Sequence, residues 1–208
     1  MKKILSALTI SLVFMIVAFV APINSYASTA TYTIQSGDSL WKIAVKYQVG
    51  VSEIISLNPQ FKNPSLIYPG QKVNIPTIPE VTSAEKEVAR LVNVERAKNG
   101  LPSLTYNWEL ARVARYKSQD MINKHYFNHN SPTYGSPFDM MKAFGIRFTA
   151  AGENIAYGQR TTQEVMNGWM NSPGHRTNIL SRNYTQIGVG YAKDSNGRIY
   201  WTQMFIHP

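Results

Sequence analysis

Two prolines three residues apart, in Ile75-Pro76-Thr77-Ile78-Pro79-Glu80, do more than any other feature to limit what this chain can fold into. Proline lacks a backbone N–H and holds φ near −65°, so a pair at this spacing interrupts an interior strand or a helix. No periodic pattern crosses the segment, which therefore separates two units that must each bury a core of their own. The chain has no cysteine. No disulfide can staple the smaller unit, thiolate chemistry is excluded, and any metal must be held by His and carboxylate.

Ahead of both units, Met1-Lys2-Lys3 is followed by an uncharged apolar run from Ile4 to Ala21, then Pro22 and the small-residue site Ser25-Tyr26-Ala27. This is the order of a secretory signal, read as residues 1–27. The apolar run sits at the lower edge of the roughly 17 to 25 residues that span a bilayer, and Pro22 with the site after it favours cleavage over anchoring. Cleavage lowers the formal charge from +9 to +7 by removing Lys2 and Lys3. An exported basic chain suits an anionic cell envelope better than nucleic acid. The Lys and Arg residues are scattered, however, a pattern that serves solubility equally well. The expectation is a secreted, wall-associated protein with no stable membrane insertion after cleavage.

The first unit, 31–76, reads strand, helix, helix, strand. Tyr32-Thr33-Ile34 is β-prone, Ser39 caps a helix carrying Leu40, Ile43, Ala44 and Tyr47, and Gly50 ends it. Ser52 caps a second helix, stopped by Asn58-Pro59, and Tyr68-Pro69-Gly70 turns the chain into Lys72-Val73-Asn74-Ile75. The run Tyr32-Thr33-Ile34-Gln35-Ser36-Gly37-Asp38-Ser39-Leu40-Trp41, with Leu57-Asn58-Pro59 and Leu66-Ile67-Tyr68-Pro69-Gly70-Gln71, resembles a LysM domain. That resemblance implies binding of peptidoglycan or another N-acetylglucosamine-containing glycan in a shallow groove. Its residues here would be Gly37, Asp38, Ser39 and Leu40 facing Asn63, Pro64, Leu66, Ile67 and Tyr68. An acetamido sugar needs backbone donors and acceptors beside a small apolar platform, which such loops offer. Leu40 and Ile67 also read as core residues, leaving the loop backbone as the main sugar contact.

After a linker at 77–82, the second unit, 83–208, opens with Thr82-x-x-Glu85 as a capping box and a stripe of Val88, Leu91 and Val92 ending at Gly100. Asn107 caps a helix whose buried face is Leu110, Val113, Ala114, Met121 and Ile122, with Arg112, Arg115 and Lys117 outside or snorkelling. Ser136-Pro137 opens a third helix and Thr161 or Thr162 a fourth. Alternation at Ile187, Val189 and Tyr191, the turn Asp194-Ser195-Asn196-Gly197 and the run Ile199 to Ile206 then make a hairpin, so the class is α+β.

Four ordered segments resemble the CAP (SCP/PR-1-like) superfamily in its bacterial form: Leu91-Val92-Asn93-x-Glu95-Arg96 with Gly100-Leu101-x-x-Leu104; Phe127-Asn128-His129; Gly152-Glu153-Asn154-Ile155-Ala156; and Gly168-Trp169 through His175-Arg176 into Tyr184-Thr185-Gln186-Ile187-Gly188. The resemblance implies an α-β-α sandwich around a central antiparallel sheet. In eukaryotic members a cleft holds two His and two Glu, and the histidines can take a divalent metal. By motif, His129 and Glu153 match one of each, while Ser172 and Asn183 stand where the other Glu and His would be and His175 lies close by. His129 and His175, with Glu153, would hold a divalent metal such as zinc and lower the pKa of bound water toward about 7. Alternatively Glu153 works as acid or base without metal. A third reading makes these residues buried polar ties.

His125 and His129 share the i, i+4 spacing of a helical zinc pair, but Tyr126 follows His125 where that motif has Glu, and Asn128 to Pro132 reads as a loop. His207 reads as a solvated strand end. A glycosidase needs a second carboxylate beside Glu153, and Asp139 and Glu164 read as helix capping and surface groups. The leading expectation is a wall-targeted protein whose CAP cleft binds a ligand or metal without catalysis. The alternatives are a metal-assisted hydrolase of peptide or wall polymer using His129, Glu153 and His175, and a spore or envelope assembly protein.

Overall fold

The computed structural model describes residues 28–77 and 79–208, so the signal read at 1–27 lies outside the described residues. The first unit is β1 (Ser28–Thr33), α1 (Leu40–Tyr47), α2 (Val51–Ser56) and β2 (Lys72–Thr77). β1 and β2 pair antiparallel with Tyr32 opposite Val73. Ser39 caps α1 as its sequence predicts, its hydroxyl accepting from the Lys42 N–H. The helix ends at Tyr47 on Gln48 in the left-handed region, while Gly50 is the N-cap of α2, which therefore starts ahead of Ser52. Ile34, Leu40, Ile43, Ile54, Val73 and Ile75 make the small core. Asn58 ties it together, donating to the Ile54 and Asn74 carbonyls and accepting from the Asn74 N–H.

The stretch read as an irregular linker is mostly regular. β2 runs through Pro76 to Thr77, and α3 (Pro79–Lys98) begins at the second proline, a residue favoured in the first helical turn. The expected capping role of Glu85 is not found. Its fully buried carboxylate accepts from the Arg115 guanidinium at 2.8 and 3.0 Å and from the Tyr191 N–H at 3.2 Å.

The remaining elements are β3 (Thr105–Tyr106), α4 (Trp108–Asn123), α5 (Pro137–Ala143), β4 (Ala150–Tyr157), α6 (Thr162–Met170), α7 (Pro173–Ile179), β5 (Gln186–Lys193) and β6 (Ile199–His207). The sheet order is β3-β5-β6-β4, antiparallel except for the two-residue β3, which pairs parallel with β5. Alternation along β6 explains the layers. Trp201 and Phe205 face a core shared with Val88 and Val92 of α3, Trp169 of α6 and Ile179 of α7, whereas Met204 and Ile206 face Leu110 and Val113 of α4 and Met140 of α5. The sheet thus lies between two helical layers. Gly188 and Gly190 let α4 lie directly on β5, since a Cβ at either position would overlap the helix backbone at Leu110–Ala111 or Ala114–Arg115.

Two residues of the segment Leu91–Arg96 prove to be braces. Buried Arg96 donates to the carbonyls of Pro102, Ile179 and Ser181, and Asn93 exchanges hydrogen bonds with the Leu104 backbone. They tie α3 to the segment around α7 and the chain entering β3.

Candidate functional site

β4 is an edge strand, and Glu153 stands in its middle opposite Met204. The Glu153 side chain is 1% exposed and its Oε1 lies 2.7 Å from His129 Nδ1. His129, in the loop after α4, is 52% exposed. A carboxylate on Nδ1 makes that nitrogen the donor and leaves Nε2 as the outward acceptor. The second oxygen, Oε2, is buried and has no hydrogen-bond partner. Burying an acceptor without a partner costs free energy, so the site retains an unmet capacity to accept a hydrogen bond.

Lys117 was expected at the surface and is fully buried, as are large parts of Arg112 and Arg115 in ion pairs. Its Nζ donates to the carbonyls of Asn128 (2.9 Å) and His129 (2.6 Å) and to the Tyr126 hydroxyl (3.1 Å), fixing the loop that carries His129. Burial pulls its pKa down, and the negative charges of Glu153 and Asp120 pull it back up. Asp120 accepts from the hydroxyls of Tyr126, Ser131 and Thr133. Lys117 was read from the sequence only as an outside or snorkelling residue and Asp120 was not singled out; a Lys and an Asp three apart on the stripe of Val113, Ala114 and Met121 were the only available signal.

The structure also brings His175, in α7, near this pair. Its pKa is lowered, first by burial and second by the His129 charge. Asn154 donates to the His175 carbonyl and to Gln203 Oε1, and Asn178 donates to Glu153 O and Asn154 Oδ1. The Gly-Glu-Asn motif therefore combines one functional candidate with one structural tie. Ser172, the N-cap of α7, and Asn183, an exposed residue whose N–H donates to Ser181 Oγ, make no hydrogen bond to His129, Glu153 or His175. A set of three metal ligands is not assembled. Glu153 lies behind His129 on Nδ1, and among the described residues no group of three or more His, Asp or Glu is arranged to hold a metal ion. His125 is exposed with φ of 55°, past the end of α4, so it forms no helical pair with His129. His207 Nδ1 lies 3.3 Å from Thr185 Oγ1 at the exposed end of β6. Asp139 completes a capping box with Ser136, and Glu164 accepts from the Arg160 N–H, so neither supplies a second carboxylate.

In the first unit, Ile34 N–H donates to Gln71 O and Gly70 N–H to Ile34 O, each at 2.9 Å. These bonds hang the 35–39 loop and the 63–70 loop from the same end of the two-stranded sheet. Asp38 accepts from the Gln35 N–H and the Tyr32 hydroxyl, which together hold its pKa below the usual range, the Gln35 bond most. Asn63 accepts from the Ser65 N–H through its side chain and from the Leu66 N–H through its carbonyl. Leu66 and Tyr68 are each 54% exposed; Gly37 and Ser39 are exposed and Pro64 is half-buried. Leu40 is in the core and Ile67 packs against it, so their side chains are structural.

A helix-sheet-helix sandwich with a buried carboxylate paired to a loop imidazole on its edge strand, behind a small two-helix unit with a two-stranded sheet, defines a LysM module joined to a CAP domain. Residues 89–205 match the cysteine-rich secretory protein family, to which the chain belongs, and residues 32–76 match the LysM domain. The chain is 57% identical over 126 residues to the Bacillus subtilis (strain 168) protein YkwD, covering 61% of this chain and 48% of that one. Its LysM part is 54% identical over 46 residues to SpoIVD-associated factor A of the same organism, covering 22% and 12%. An extracellular protein with an SCP domain from Bacillus anthracis superposes with a TM-score of 0.58 at 34% identity, over 67% of this chain and 47% of that one. The chain thus spans about half or less of the length of these relatives.

Proposed function

We propose that this protein is exported to the cell wall, held there by its LysM module on N-acetylglucosamine-containing glycan, and presents the Glu153–His129 pair to a ligand without turnover. The glycan reading is supported by the two loops at one end of the β1-β2 sheet, with exposed backbone at Gly37 and Ser39 beside the exposed Leu66 and Tyr68. A weak, neutral-sugar site of that kind needs fixed amides and carbonyls next to a small apolar patch. Among the described residues no helix is long and apolar enough to cross a membrane.

For the pair, the carrying observation is the unpartnered Glu153 Oε2 beside a His129 ring that is half exposed. This arrangement suits acceptance of a hydrogen bond from a bound hydroxyl, amide or ammonium group. The nearby second carboxylate, Asp120, already accepts from three hydroxyls, and among the described residues no three-ligand metal set is assembled, so binding is favoured over hydrolysis. Amide NMR spectra with an N-acetylglucosamine tetramer test the first part: resonances of 35–39 and 63–70 should move, and their failure to move rejects LysM recognition. For the second part, the purified chain incubated with peptidoglycan or casein should release no products, with or without added zinc. Release that disappears in Glu153→Gln instead establishes an enzyme.

A further inference from the structure

The LysM and CAP modules are joined by a buried ion pair. Glu53 of α2 accepts from Arg112 Nε of α4 at 2.7 Å through Oε1, and its Oε2 accepts from the Gly50 N–H at 2.9 Å. Arg112 also reaches Ser52 Oγ and lies over the rings of Tyr116 and Phe144, at 5.3 and 5.4 Å. A side chain at Gly50 would meet the Arg112 guanidinium, which would have to shift within its ion pair to make room. Beside this contact is a cleft of about 250 Å³ with Trp41 and Val45 on the LysM wall and Trp108, Glu109 and Phe144 on the CAP wall.

Trp41 is 64% exposed, an unusual state for an indole that no core requires. With Val45 one turn on, it forms an apolar stripe on the outer side of α1. The charge of Arg112 is neutralised by Glu53, whereas exposed Glu109 has no hydrogen-bond or ion-pair partner among the described residues and remains an acceptor. Two indole faces, one free carboxylate and no unpaired cation suit a neutral pyranose ring: its C–H face packs on an indole while its hydroxyls donate to the carboxylate. The volume is below the roughly 300 to 1,000 Å³ of drug-sized sites, matching a single ring. Trp41 also lies in the first turn of α1, directly after Ser39 and Leu40 of the glycan loop, so a chain seated on that loop has the cleft beside it.

The geometry points to a second sugar subsite, formed jointly by Trp41 of the LysM module and Trp108 of the CAP domain, that takes one hexosamine unit of the glycan held by the LysM loops. The subsite rests on the LysM reading proposed above. It makes recognition depend on glycan length, and it makes the CAP domain part of the glycan-binding surface.

Calorimetry on the whole chain with β-1,4-linked N-acetylglucosamine oligomers of two to six units, together with NMR of the indole N–H signals assigned through Trp41→Phe and Trp108→Phe, tests this. Affinity should rise about five- to tenfold from the shorter to the longer oligomers, the value of one aromatic stacking contact. Both indole signals should move, and Val45→Arg, which fills the cleft from an exposed position, should remove the gain. Loop amides that shift while affinity stays flat and the indoles stay still overturn the subsite and leave the LysM reading standing. Indoles that respond to a muropeptide stem peptide but not to sugar overturn it in favour of a peptide site. If no oligomer of any length shifts either loops or indoles, both readings fail.

Discussion

Lys117 is the residue on which the candidate site depends most heavily. Its ammonium holds two consecutive loop carbonyls and sits near two carboxylates, so Lys117→Met leaves the Asn128 and His129 carbonyls unpaired and the Glu153 and Asp120 charges uncompensated. Breaking a buried charge cluster in this way costs about 3–5 kcal/mol, to be read from urea denaturation of variant and parent. His175 makes a second prediction. Burial first and the His129 charge second hold its pKa below 6.5, so the native state prefers the neutral ring. The stability it contributes is present above pH 6.5 and is lost as pH falls through the lowered pKa. NMR titration in metal-free buffer should place its midpoint below 6.5. In His129→Gln the midpoint should move upward but remain below 6.5, because burial is the larger cause. His129, Glu153 and His175 were legible in the sequence as rare polar residues inside motifs. Lys117 and Asp120 were not, since their burial depends on a loop folding back over α4.

Elements were legible where local signals agreed with tertiary demand. Ser39 and Asn107 cap the helices they were expected to cap, Ser136 opens the third, Thr161 rather than Thr162 caps the fourth, and the β5–β6 hairpin turns at Asp194–Gly197. β4 was not apparent, because Ala-Ala-Gly-Glu-Asn-Ile-Ala-Tyr contains weak strand formers that are held in place by pairing with β6. Nor was α7, a seven-residue helix opened by Pro173 and Gly174 whose placement owes much to Arg96 and Asn178. The small residues of β5 were visible as alternation, but not as a seat for α4. Gly190→Ala should expose that dependence, since the added methyl group overlaps the backbone at Ala114–Arg115 and overpacking costs typically about 1–3 kcal/mol. Thermal and urea unfolding of the variant measure it, and an unchanged midpoint contradicts direct helix-on-strand packing.

At the scale of the whole molecule, the sequence located the division into two modules but not their junction. Glu53 and Arg112 belong to different modules, and nothing in their spacing announces the pair. Because the two charges share one buried contact, Glu53→Gln and Arg112→Met should be strongly non-additive, with a coupling of about 1–3 kcal/mol in a double-mutant cycle. Additive losses would mean that the modules hold their positions without it. The central claim is that the LysM module places the CAP domain on the wall. Co-sedimentation with insoluble peptidoglycan tests it most directly: the mature chain should pellet with the polymer, be released by excess N-acetylglucosamine oligomer, and stay in the supernatant once residues 31–76 are deleted. Equal pelleting of the deleted chain would contradict the account.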